Sequence, residues 1–79
     1  MTREAIFNAI IEERLRQVAL KFAGKFEYTC ADMIGDFNKL AILVEEVGEV
    51  ARDICEDRDV RTELIQCAAV ICAWLESID

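Results

Sequence analysis

Residues Leu43 to Ile54 read LVEEVGEVARDI, and this stretch decides the fold. At the roughly 100° per residue of an α-helix, Leu40, Leu43, Val44, Val47, Ala51 and Ile54 share one apolar stripe. Four acidic side chains, Glu45, Glu46, Glu49 and Asp53, are set into the same pattern. Glu46, Glu49 and Asp53 follow at i, i+3 and i+7, a second stripe on the same helix. Like charges so spaced destabilise an isolated helix by a few tenths of a kcal/mol per pair. The plain reading is a solvated acidic face. The sharper reading is a cation site, because carboxylates at this spacing can converge on one hard ion that prefers oxygen ligands.

Working outward, Thr2 to Ala23 reads as a first helix. Thr2 is placed to cap it, and Glu4 suits the positive end of the helix dipole. Phe7, Ile11, Leu15, Val18 and Phe22 form a continuous apolar face, and Gly24 follows as a left-handed C-terminal cap. Lys25 to Gly35 has no sustained period, although Ala31 to Ile34 accommodates a short helical turn. Loops of this length commonly carry binding residues. The central helix spans Asp36 to Glu56 with Asp36 as its N-cap. Gly48 in its middle costs about 1 kcal/mol relative to alanine and points to close approach of a neighbouring helix. Asp57 to Asp59 is a short turn, with Asp59 as the N-cap of a third helix from Val60 to Ser77. So short a turn makes the second and third helices antiparallel neighbours. Turning near residue 58, they set Glu49 level with Gln66 and Asp53 level with Glu63.

The third helix is apolar nearly all round, with Leu64, Ala68, Ile71 and Leu75 on one face and Ile65, Val70, Cys72 and Trp74 on others. Such a helix needs burial nearly all round, and a chain of 79 residues in one domain cannot supply it. The expected architecture is an all-α bundle over residues 1–79, with three main helices completed by self-association into a homodimer or tetramer. The net charge of −7 and the absence of histidine argue against binding a nucleic-acid polymer, which takes clustered Lys and Arg. Four cysteines without a CxxC pair read as reduced core residues of a cytoplasmic protein rather than a zinc site or a disulfide framework. No secretory signal is expected from the N-terminal residues, and the uncharged run Leu64 to Leu75 is too short to span a bilayer, which takes about 20 residues.

Glu45-Glu46-x-x-Glu49, followed after a spacer by Glu63-x-x-Gln66, resembles the signature of the MazG-type nucleoside triphosphate pyrophosphohydrolases, EExxE then ExxD. The flanking LAILVEEVGEVARDI and TELIQCAAVICAWLES are similar to short MazG-like proteins built of this all-α module alone. Glu13 to Gln17 and Lys21 to Gly24 are similar to a weaker N-terminal signature of the group. The resemblance implies a Mg2+-dependent hydrolase that splits a nucleoside triphosphate between the α and β phosphates, a house-cleaning role, with helices of two subunits contributing to the site. It implies Glu46, Glu49 and Glu63 as metal ligands, with Gln66 in the place of the family's aspartate and Glu45 as a catalytic, water-orienting group beside Glu46 and Glu49. Lys21, Arg14, Lys39 and Arg52 are candidates to hold phosphates, and ordinary surface ion pairs are the alternative. Phe22, Phe26, Tyr28 and Trp74 are candidates to stack on the base, and plain core packing is the alternative. Gln66 offers one neutral carbonyl oxygen where the pattern has a carboxylate, which weakens a Mg2+ site. A non-catalytic helical module that binds nucleotide or metal and regulates a partner is therefore the second reading.

Overall fold

The computed structural model describes residues 1–26, 29–32 and 34–78, which form three α-helices: α1 (Arg3–Phe22), α2 (Asp36–Cys55) and α3 (Arg61–Ser77). The ends are set by local chemistry. Thr2 Oγ1 accepts the amide of Ala5 at 3.1 Å and caps α1. Gly24 closes it in a left-handed conformation, φ +78°. The Lys25 amide then reaches back to the Leu20 carbonyl at 2.9 Å, and that of Gly24 to Lys21 at 3.0 Å. This pairing satisfies carbonyls that a helix end leaves open.

α2 starts one residue earlier than its acidic cap suggested. Gly35 holds the extended capping conformation, its carbonyl accepts the amides of Asn38 and Lys39, and Asp36 is the first helical residue. There its charge still suits the dipole. The far end repeats the α1 closure with a different residue: Asp57 is left-handed at φ 60°, and the Arg58 amide donates to the Asp53 carbonyl at 2.8 Å. α3 begins at Arg61, whose amide donates to Asp59 Oδ1 at 3.0 Å. Between α1 and α2 the described residues hold a turn, closed by the Asp32 amide on the Thr29 carbonyl, where a short helix had been allowed for. Tyr28 and Met33 lie outside the described residues.

α1 and α2 both pack on α3 and not on each other. Buried apolar residues are few and small: Cys30, Ala69, Val70 and Ala73, with Ile42, Leu43 and Trp74 packed against them. The long apolar stripes are uncovered. Phe7, Ile11, Leu15, Val18 and Phe22 of α1 are all exposed, as are Leu40, Val44, Val47 and Ile54 of α2 and Leu64, Ile71 and Leu75 of α3. α1 instead turns polar residues inward, burying Glu13 and Gln17. The accessible surface is 5784 Å2, against about 4,850 Å2 expected for a compact monomer of 9.0 kDa. The radius of gyration, 12.8 Å, likewise exceeds the roughly 11.6 Å of a compact chain of this length. Apart from its chain neighbours and the backbone of its own helix, Gly48 has no described atom within 4 Å of where a Cβ would stand, so neither α1 nor α3 approaches it.

Among the described residues, no helix is long and apolar enough to cross a membrane. All four thiols are free. Cys30 is buried and Cys67 and Cys72 are half-buried, but Cys55 is exposed at the end of α2 and is no core residue of this chain.

A carboxylate cluster beside a cleft

The antiparallel pairing of α2 and α3 brings carboxylates together, one helical turn away from the register expected of a three-residue turn. Gln66 meets Glu46, and Glu63 meets Glu49. The connection explains the offset. The chain reverses at Asp57, and Arg58 to Val60 precede α3 without joining its helix. Residues outside a helix advance up to about 3.3 Å each against 1.5 Å inside one, so Arg61 already stands higher along α2.

One carboxylate oxygen from each of Glu46, Glu49 and Glu63 lies within 4.8 Å of the other two, all three side chains being half-buried. With its amide nitrogen turned to them, Gln66 donates to Glu63 Oε2 at 2.8 Å and Glu46 Oε2 at 3.3 Å. Asp53 continues the acidic row and is held by Arg58, whose Nε donates to Asp53 Oδ1 at 2.9 Å.

This crowding raises proton affinity. Burial, then the charges of Glu49, Glu63 and Glu13, push the Glu46 carboxyl up to about 7, with Arg16 acting in the opposite sense. Glu63 is pushed up by burial, by its hydrogen bond with Glu49, and by the charges of Glu49 and Asp53, while Arg58 opposes. Without a cation, the cluster therefore tends to hold protons. The neighbouring Cys67 thiol is pushed up by burial and by the same three glutamates, which keeps it un-ionised.

Beside the cluster a cleft of about 340 Å3 opens between α1 and the α2–α3 pair. Glu45, Glu46 and Gln66 line one side of it, Arg16 and Gln17 of α1 the other, and Phe26 and Thr29 of the loop close it. Arg16 is held by Glu13 through contacts of 2.6 and 2.8 Å. That bond to the buried Glu13 carboxylate raises the Arg16 guanidinium above its usual range.

The other sequence candidates lie elsewhere. None of Lys21, Phe22, Arg14, Lys39 and Arg52 lines the cleft. Lys21 Nζ pairs with Asp32 Oδ1 at 2.6 Å, which holds that carboxyl below its usual range. Arg14 bonds Glu76 at 2.7 Å. Lys39 is buried and donates to Ser77 Oγ. Arg52 is exposed in the last turn of α2, Phe22 is 85% exposed, and Trp74 packs against the small core. Tyr28 is among the residues not described. The residues that sequence reading passed over are Arg16, Gln17 and Thr29. The signal for the first two was the polar row Glu13, Arg16, Gln17 at i, i+3 and i+4, a single helix face. Compared with known proteins, the chain matches no family model, no curated protein and no solved structure.

Proposed function

We propose that the chain is a Mg2+-dependent nucleotide pyrophosphohydrolase of the MazG-like type. It cuts an NTP or dNTP between the α and β phosphates into the monophosphate and pyrophosphate, a house-cleaning reaction. The convergence of Glu46, Glu49 and Glu63 carries this reading. Their donor set fits a hard divalent ion, which takes oxygens at about 2.0 to 2.6 Å and so bridges oxygens up to 4 or 5 Å apart. When bound, Mg2+ would screen the phosphate oxygens and polarise the attacking water.

The chain's own groups have distinct parts. Glu46, Glu49 and Glu63 would hold the ion, which would take the place of the protons that crowding favours on Glu46 and Glu63. Gln66 can turn its amide, presenting nitrogen to the carboxylates or oxygen to a cation. Glu45, exposed at the edge of the cleft, is the group to accept the water's proton. Arg16 is the cation placed to meet a phosphate. The uncovered apolar stripes support assembly into a homodimer or tetramer, and the free thiols accord with a cytoplasmic setting.

One observation favours the second reading, a non-catalytic module that binds nucleotide or metal and regulates a partner. The Gln66 amide can bridge two of the carboxylates, Glu46 and Glu63, without an ion. Pyrophosphate release across a nucleotide panel, with and without Mg2+, separates the two. Release that needs Mg2+ and disappears in Glu49→Gln, with helical content unchanged by circular dichroism, is the expected result. A wild type inert towards every nucleotide, with hydrolysis switched on by Gln66→Asp, establishes the non-catalytic module instead.

A further inference from the structure

The outer face of α2 is apolar along its whole length. Phe37, Leu40, Val44, Val47, Ala51 and Ile54 alternate steps of three and four residues, the spacing that keeps one seam turned to a partner helix. All six are exposed. Ala41, Gly48 and Cys55 run beside that seam at intervals of seven and are exposed as well. Small side chains there let a second backbone come close, and Gly48 lets it come closest. One polar row borders the same face: Asn38, Glu45 and Arg52, again seven apart and exposed. Glu45 and Arg52 stand about 10.5 Å apart along the helix axis, too far to pair with each other. Neither makes an ion pair among the described residues. Opposite in charge, they lie three and four residues to either side of Gly48.

We propose that α2 docks antiparallel on α2 of a second copy of this chain, crossing near Gly48, with Glu45 of each copy beside Arg52 of the partner subunit. The charges choose this arrangement. In a parallel pair Glu45 faces the partner's Glu45, and the antiparallel register one heptad away does the same. The antiparallel pair centred near Gly48 instead meets opposite charges twice, once from each copy, and sets seam against seam. Such a contact is two-fold and closed. Glu45 also lines the cleft beside the carboxylate cluster, so the partner's Arg52 stands at the rim of that cleft. The proposal rests on the assembly inferred from the uncovered stripes and names the face and register that build it.

Sedimentation equilibrium measures the association directly. Glu45→Arg and Arg52→Glu should each weaken it about 10-fold, because each sets like charges across the contact. Helical content by circular dichroism should stay unchanged, both positions being exposed. Mixed in equal amounts, the two variants should regain wild-type association, since one chain then offers two arginines and the other two glutamates. A chain carrying both substitutions should associate like wild type. A wild-type oligomer indifferent to both substitutions, or a mixture no tighter than its components, overturns the α2 pairing and leaves assembly to another face. A monomeric wild type overturns the pairing and the assembly together. Pyrophosphate release plays no part in the readout, so the enzyme reading stands or falls separately.

Discussion

Glu46 carries three acidic neighbours and one basic one, and the balance has a consequence in pH. Its carboxyl sits near 7 in the folded chain against an ordinary value of 4.5. The folded state therefore binds that proton more tightly than the unfolded state. The associated stability is full below about pH 4.5 and is lost as pH rises through about 7. Glu63 works in the same direction. Asp32, held low by Lys21, works in the opposite direction, but its window lies below its ordinary 3.8. Thermal unfolding in EDTA should therefore show a lower Tm at pH 8 than at pH 5.5, with solvent screening limiting the difference to about 1 to 2 kcal/mol. Under the proposed function, added Mg2+ should raise Tm most at pH 8, where it no longer competes with protons. A Tm independent of pH across that range would contradict the crowding.

At this scale part of the site was legible. Helical periodicity alone put Glu46 and Glu49 on one face, but spacing set Asp53 rather than Glu49 level with Glu63, and only the family resemblance joined Glu63 to the other two. The other wall of the cleft was not legible. Where Arg16 and Gln17 point depends on how α1 docks, and that is set by an aperiodic loop held by Lys21 and Asp32. Those two side chains had looked like separate features.

Among the elements, the connection between α2 and α3 has the clearest test. Asp57 is left-handed, a conformation that costs a side-chain-bearing residue about 1 kcal/mol, and its charge opposes the dipole at a helix C-terminus. Asp57→Gly should stabilise the protein by about 0.5 to 1 kcal/mol, read as a higher urea midpoint at unchanged slope. A lower midpoint would mean that the aspartate side chain makes a stabilising contact. The closures of α1 and α2 are the same motif, yet only the first was readable, because Gly24 announces a left-handed cap and Asp57 does not. Helix spans came within a residue or two of expectation for the same reason: caps are local. The register of α3 on α2 was missed by a turn because it depends on the path of Arg58 to Val60.

For the whole molecule, the question is what covers the apolar stripes. Periodicity identified each stripe but carried no information on whether its own chain or another would face it. The surplus surface over a compact monomer is about 900 Å2, close to the roughly 800 Å2 that each partner contributes to a standard protein interface. Light scattering at micromolar concentration should give a mass of at least twice 9.0 kDa, and Val44→Glu on the exposed α2 stripe should lower it. A monomeric wild type would sink the assembly. Gly48 supplies an internal gauge of the same thing. Within one chain, a methyl group there meets empty space and would strengthen α2 by up to about 1 kcal/mol. If a helix of a second copy lies across that point, the methyl group collides with it. The sign of the change in melting temperature on Gly48→Ala thus tells whether the middle of α2 faces water or a sister subunit.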